Sequence, residues 1–321
     1  MAGYLLKRFS NMIILFFGIT LMSFFIIQLT PGDFFAEKKL NPQISPETIE
    51  QMRAQFGLDK PLIVQYGKWL WGIARFDFGY SFAYQMPVSE LITSRMLNTI
   101  VLSLTSIILS WLLAIPIGIY CAVRQYSLGD KIFTTLSFAG MSLPSFFLAF
   151  LLLFVAKKTG IFPIGGTTSP DYETFSFLGR VWDRIHHLML PTIVLGFGSV
   201  ASIQRYMRGQ LLEVLGKQYI LTAKAKGLSE KAVIYKHALR NAINPLITSF
   251  GFELSGLLSG AALTEMIVGW PGLGRLILEA VMKKDLYLVM GSLVMSSILL
   301  MVGNLIADIL LALSDPRIRY S

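Results

Sequence analysis

The sequence predicts an all-α polytopic membrane protein with six transmembrane helices and both termini cytoplasmic. Three observations predict it. Apolar residue types supply 54% of the 321 residues and charged types only 15%, whereas soluble domains run about 25% charged. The charges are spaced so that six stretches between them are each long enough to cross a bilayer. Net charge is also shared unequally between the two sides that six spans define.

A hydrocarbon core of about 30 Å needs about 20 residues at 1.5 Å each. The stretches 9–32, 96–123, 132–156, 185–204, 241–264 and 286–307 contain 24, 28, 25, 20, 24 and 22 residues, and the last stays apolar to Leu313. The fourth counts His186 and His187 as neutral, and the fifth is interrupted by Glu253. None alternates with the period of two that a barrel strand needs. Lys7 and Arg8 ahead of the first stretch resemble a signal peptide. The run is too long for one, and Thr30-Pro31-Gly32-Asp33 offers no small-x-small cleavage site, so it reads as an anchor.

Net charge is +9. The termini and the loops after spans two and four hold 14 basic and 4 acidic residues, while the other side holds 14 basic and 13 acidic ones. Most of the asymmetry comes from one short loop, which places that loop and both termini in the cytoplasm. This distribution is that of cytoplasmic membrane loops and not of a nucleic-acid-binding surface. The single cysteine, Cys121, has no intrachain disulfide partner.

The chain divides into 1–95, an anchor plus an extracytoplasmic segment; 96–313, the main membrane domain; and 314–321, a cytoplasmic tail. Within the first part, Ser45, Pro46 and Glu47 open a helix with Ile49, Met52 and Phe56 on one face and Gly57 at its end. Pro61 opens a second, with Tyr66, Trp69, Leu70 and Ile73 on one side. Trp69, Trp71, Phe76, Phe78 and Tyr80 form either an interfacial aromatic belt or a cap that receives a partner. Pro87 and Ser89-Glu90 open a helix that leads into span two. Gly165-Gly166-Thr167-Thr168-Ser169-Pro170 marks a turn between spans three and four. Gly269-Trp270-Pro271-Gly272-Leu273-Gly274 lacks the Lys and Ser/Thr of a phosphate loop, because Arg275 and Leu276 follow it. It reads as a re-entrant turn held inside protein.

The basic loop 205–240 carries the functional argument. Thr222, Ala223, Lys224, Ala225 and Lys226 make a short helix of small and basic residues, and Gly227 punctuates it. Ser229 is an N-cap for a second helix, in which Leu228, Ala232, Tyr235, Leu239 and Ala242 repeat at helical spacing. Such a pair suits either a groove on another protein or an anionic lipid surface.

The loop resembles the coupling loop of binding-protein-dependent ABC importer permeases. Their Glu-Ala-Ala, Gly and Ile-x-Leu-Pro pattern meets Leu221-Thr222-Ala223, Gly227 and His237-Ala238-Leu239-Arg240, with strict matches at Ala223, Gly227 and Leu239. The runs Thr222 to Leu228 and His237 to Asn241 are similar to those of the dipeptide/oligopeptide/nickel branch. The resemblance extends to Pro31-Gly32-Asp33, Gly57-Leu58-Asp59-Lys60-Pro61, Leu263-Thr264-Glu265, Trp270 to Gly274, and Asp315-Pro316-Arg317-Ile318-Arg319.

The resemblance implies a type I ABC importer fold and half of a translocation pore, in a prokaryotic plasma or inner membrane. It implies a heterodimer with a second related permease, two cytoplasmic ATPase subunits and an extracytoplasmic substrate-binding protein. This chain shows no Walker pattern, catalytic motif or metal-ligand spacing, so it is expected not to be an enzyme and to bind no cofactor. ATP and Mg are expected in the ATPase subunits. Thr222, Ala223, Lys224, Ala225, Lys226, Gly227, Leu228 and Ser229 are expected to form the tip, with His237 and Leu239 behind it and Arg240 anchoring it at the membrane surface. Di- or oligopeptide is the leading cargo, and nickel or another small solute is the alternative. A secondary transporter is a weaker reading, since no paired broken helices are evident and the loop would go unexplained. Inside the membrane, Glu253 either faces the pore or a partner, or is a structural carboxyl bonded to a nearby serine. Gly256 and Gly260 make a small-xxx-small pair.

Overall fold

The computed structural model describes residues 2–29, 35, 45–55, 57–258 and 261–314. Helices dominate. They are α1 (Ala2–Leu29), α2 (Pro46–Gln55), α3 (Leu62–Ile73), α4 (Val88–Val123), α5 (Leu128–Ser142), α6 (Ser145–Thr159), α7 (Phe177–Leu215), α8 (Gln218–Ala225), α9 (Leu239–Ala242), α10 (Asn244–Leu258), α11 (Ala262–Ile267), α12 (Leu273–Met282) and α13 (Leu286–Ser314). A two-stranded hairpin precedes α4, pairing Tyr80 with Pro87 and Ser81 with Met86.

Four of the expected spans stand as helices long and apolar enough to cross a membrane: Ser10–Leu29, Val88–Val123, Phe177–Leu215 and Leu286–Leu310. The third differs from expectation. Stretch 132–156 is not one straight helix but α5 and α6, bent by 105° between Ser142 and Ser145. Pro144 has no backbone N–H and pushes the residue before it out of the helical region, and Leu143 is accordingly extended (φ −87°, ψ 120°). Pro116 and Pro191, by contrast, lie within α4 and α7 without ending them. The fifth stretch is also shorter than expected, since α10 has 15 residues and the short α11 follows it.

α4 and α7 make the most extensive helix pairing, and α10 with α13 the next. Gly118 allows the first crossing, because a Cβ there would lie 2.8 Å from the Gln204 carbonyl oxygen and from Met207 Cβ. One core joins α4, α12 and α13 around Val88, Ile92, Leu273, Leu276 and Val294. A second lies at the opposite end, where α7 and the basic loop meet around Met207, Leu211, Ile220 and Ala238.

The segment before α4 partly matches its reading. Ser45 Oγ accepts the Thr48 amide at 3.2 Å and caps α2, whose Ile49 is buried. The Met52 and Phe56 side chains lie outside the described residues. Tyr66, Leu70 and Ile73 of α3 pack with buried Trp69 as expected. The aromatic residues divide between core and surface. Trp69 and Phe78 are buried, whereas Trp71, Phe76 and Tyr80 are exposed. Pro31-Gly32-Asp33 and Asp315 to Arg319 also lie outside the described residues.

Candidate functional site

The basic loop is built on the end of α7, which runs on to Leu215, so its first third is helix continued from the membrane domain. After Gly216 the chain turns into α8, and Ile220 and Ala223 point back onto Met207, Leu211 and Val214. The chain leaves α8 through Gly227, whose left-handed φ of +75° is one that a Cβ penalises. Ser229 Oγ then accepts the Ala232 amide at 3.4 Å, in the capping role read for it.

Thr222, Lys224, Ala225, Lys226, Gly227, Leu228 and Ser229 are all exposed. Ala223 is the exception at 8% exposure, because it belongs to the loop's own core. The arrangement is an exposed strip of basic and small residues on a fixed base. Among the described residues no carboxylate forms an ion pair with Lys224, Lys226 or Arg240. Arg240 is exposed, and His237 and Leu239 are half-buried.

The stripe read for the second helix is right in part. Ala242 is buried and Ala232 and Leu239 are half-buried as read, but Leu228 and Tyr235 are exposed, and Val233, Ile234 and Ala238 face inward. For Tyr235 the cause is the winding: Ala232–Ala238 is π-helical. Hydrogen bonds from i to i+5 make each turn wider than 3.6 residues, so a stripe projected with α-helical spacing drifts out of phase. Asn241, which spacing did not single out, donates to Tyr219 Oη at 2.9 Å and ties the second helix to α8.

A clamp holds the base. Asp130 is buried, and its two oxygens accept Arg208 Nε at 2.8 Å and Nη2 at 2.9 Å. It also accepts the Tyr126 amide and the Thr134 hydroxyl. The turn between α4 and α5 is thereby locked onto α7 close to the loop. Ser137 on α5 donates to the buried Gln204 on α7. A sequence read for uncharged stretches counts Asp130 and Arg208 only as cytoplasmic loop charges, so their pairing was not visible.

Within the membrane domain, Glu253 accepts the Trp111 indole N–H at 2.9 Å. Among the described residues its partner is a tryptophan on α4 and not a serine. Gly256 faces open space, and Gly260 lies outside the described residues. Ser103 Oγ donates to the Leu257 carbonyl and Ser110 Oγ to the Gly196 carbonyl, which joins α4 to α10 and α7.

At the far end, the Gly- and Pro-rich turn is held inside protein as read. Trp270 is buried and its indole donates to the Asn98 carbonyl at 3.2 Å. Gly269 has φ +70°, and a Cβ on it would lie 2.9 Å from Gly165 Cα. Buried Glu265 accepts the Arg275 amide at 2.8 Å and the Thr99 hydroxyl at 3.2 Å. Buried Asp285 opens α13 by accepting the Leu288 amide, and it accepts the Ser81 hydroxyl at 2.7 Å and the Ala83 amide at 2.9 Å, which fastens the hairpin. Tyr84 donates to Glu279 at 2.5 Å, and Arg275 Nε donates to the same carboxylate at 2.7 Å. Burial pushes the Tyr84 hydroxyl up to about 12, with the Glu279 carboxylate adding to it. Burial would raise Glu279, but its bonds from Tyr84 and Arg275 outweigh that and hold it below the usual carboxylate value.

This architecture is known elsewhere. An inward-facing structure of the MetNI methionine ABC transporter is similar at TM-score 0.55 and 18% identity, covering 70% of this chain and 96% of that one. At that identity the likeness is one of fold. Over the full length of both chains, this one is 42% identical to the oligopeptide transport system permease protein AppB of Bacillus subtilis (strain 168). It is 35% identical to the dipeptide transport system permease protein DppB of Escherichia coli (strain K12), across 100% of this chain and 99% of that one. Residues 1–105 match the N-terminal family model of binding-protein-dependent transport membrane components. Residues 114–320 match the model that covers the rest of the membrane domain, and the chain belongs to the family of binding-protein-dependent transport system inner membrane components.

Proposed function

We propose that this chain is one permease subunit of an ATP-driven importer of di- or oligopeptides and forms half of its translocation pore. The observation that carries the reading is the strip Thr222–Ser229, exposed except at Ala223 and mounted on a closed core at the end of a 39-residue helix. A small-residue helix with a left-handed glycine exit, fixed at its base, is shaped to enter a groove on a motor subunit. The relatives' names supply the cargo class. As an inner membrane component with several membrane-length helices, the chain is a multi-pass cell membrane protein.

In the full reading, α5–α6 and α10–α11 complete six crossings with both termini cytoplasmic. Residues 1–95 carry the anchor and an outward segment, 96–313 the pore domain, and 314–321 a tail. Two ATPase subunits hold ATP and Mg and each receive one coupling loop, while a second, related permease completes a heterodimer. An extracytoplasmic binding protein delivers cargo, lipid surrounds the helices, and nucleic acid has no role. Nucleotide-dependent closure of the ATPases moves the loops, and each ligand favours one of two states.

The test is co-purification followed by reconstitution. A tagged chain extracted with its partners is expected to bring an ATPase subunit. The liposome-embedded complex is expected to take up labelled peptide only with ATP and binding protein. A chain isolated alone, or uptake undiminished without nucleotide, overturns the reading. A binding protein that holds Ni²⁺ and no peptide overturns the cargo alone.

A further inference from the structure

The loop and its clamp leave one charge unused. Arg205 lies on α7 between two residues whose partners are internal, buried Gln204 and Asp130-bound Arg208. Its guanidinium sits over the Phe138 ring at 5.0 Å and reaches Met141 Sδ at 3.8 Å. That is one turn from the α5–α6 break. Among the described residues no carboxylate pairs with it.

Two further observations converge on the same place. Gly198, Ser202, Arg205 and Gly209 follow at spacings of 4, 3 and 4, which puts them on one helix face. None of the four is buried, and a Cβ on Gly198 or Gly209 would meet nothing within 4 Å. By contrast, between residues 95 and 115 every exposed position of α4 is Leu, Ile or Val, as lipid contact requires. Ser202 lies inside the uncharged stretch and Arg205 at its cytoplasmic end, and a hydroxyl and a guanidinium on one face there belong on protein or water. Residues 141–147 around the break are all exposed as well. Irregular backbone at membrane depth is tolerated only under protein or along a water-filled cavity.

We propose that this face of α7 and the α5–α6 break line the water-filled translocation route, and that Arg205 is its anion-selective residue, meeting the carboxylate of the solute in transit. The carboxylate assignment rests on the peptide reading. The route does not.

The test uses the complete complex in nanodiscs, with Ser202→Cys one turn from Arg205. Native Cys121 is 0% exposed, so background labelling is low. Charged, water-soluble thiosulfonates are expected to reach Ser202→Cys at least about tenfold faster than Leu112→Cys on the exposed apolar face of α4, where ions have no water to travel in. The anionic reagent is expected to be favoured over the cationic one by about fivefold relative to an exposed loop cysteine. Arg205→Gln is expected to abolish that preference and Arg205→Lys to keep it. Equal rates at Ser202→Cys and Leu112→Cys overturn the route. A charge preference that survives Arg205→Gln overturns the residue. In liposomes, Arg205→Gln is expected to lower uptake of a peptide with a free carboxylate by about fivefold, with Arg205→Lys retaining most of it. Unchanged uptake overturns the role in transit. A wild-type complex that carries no peptide refutes the cargo, while the labelling ratios still decide the route and its charge preference.

Discussion

Replacing Asp130 by Asn tests whether the base of the loop is held as described. The carboxylate is 3% exposed and accepts both Arg208 nitrogens. Removing one partner of a fully buried pair costs about 3–5 kcal/mol, because the other charge is stranded. The Arg208 side chain is 22% exposed, so its charge recovers some water and the cost shifts down, to about 2–4 kcal/mol. The Asn amide also fails as a second acceptor, which removes one bond of the bidentate pair outright. Unfolding of the detergent-solubilised complex by denaturant, followed by tryptophan emission, measures the loss. A double-mutant cycle with Arg208→Gln isolates the pair, and a coupling of about 1.5–3 kcal/mol is expected. Single losses below about 0.5 kcal/mol, or strict additivity, would refute the clamp, since non-interacting sites add to within about that amount.

Four further outcomes are expected. Gly227→Val places a branched residue at φ +75° in otherwise open space and costs about 1–2 kcal/mol of local strain; ATPase co-purification is expected to fall while the membrane domain melts as before. Ala223→Leu is expected to do the reverse, overpacking the loop's own core at about 1–3 kcal/mol and lowering the melting temperature first. Trp111→Phe strands the Glu253 carboxylate and is expected to cost about 1–3 kcal/mol, most of it recovered in a Glu253→Leu background. Finally, Glu279 has a folded pKa below its unfolded value, so its contribution is present above about pH 4.3 and is lost as pH falls through the folded value. The stability gap between wild type and Glu279→Gln is expected to narrow below about pH 4, and a gap constant from pH 6 to 3.5 would count against the Tyr84–Glu279–Arg275 bonds.

Hydropathy made the long helices legible because burial in lipid asks only for length and apolarity, and α1, α4, α7 and α13 satisfy both. It could not locate the bend at Leu143-Pro144, since proline breaks a helix only where neighbours leave the chain room to turn. Pro116 and Pro191 are the counterexamples in the same chain. The exposed tip was legible from small residues, lysines and Gly227. The inward face of the second loop helix was legible only in part: Ala242 is buried as read, but the π winding of Ala232–Ala238 leaves Tyr235 outside and brings Val233, Ile234 and Ala238 inward. Local chemistry says little about winding, which depends on how Val233, Ile234 and Ala238 fit against α7. Pairs such as Asp130–Arg208 and Trp111–Glu253 lie 78 and 142 residues apart, beyond any local pattern.

The position of these pairs bears on how force travels. α7 runs unbroken from its Ser176 cap to Leu215, about 58 Å at 1.5 Å per residue. Near its start Asp183 accepts the Ser169 amide at 2.8 Å and the Ser169 hydroxyl at 2.5 Å, which anchors the segment leading to the Gly165–Gly269 contact. Near its end it holds the Asp130 clamp and the core beneath Ala223. Close-packed interiors are stiff and shift between discrete arrangements. A push on Thr222–Ser229 is therefore not absorbed in the loop, because Ile220 and Ala223 are seated on α7 itself. The push must move α7 together with α4, locked to it at Gly118, and α5, locked to it at Asp130. The α5–α6 bend is the nearest place where that body can give, since Leu143 and Pro144 both take extended backbone between the two helices. Under the proposed function, motion generated at the loop is thus delivered first to the segment beside Arg205.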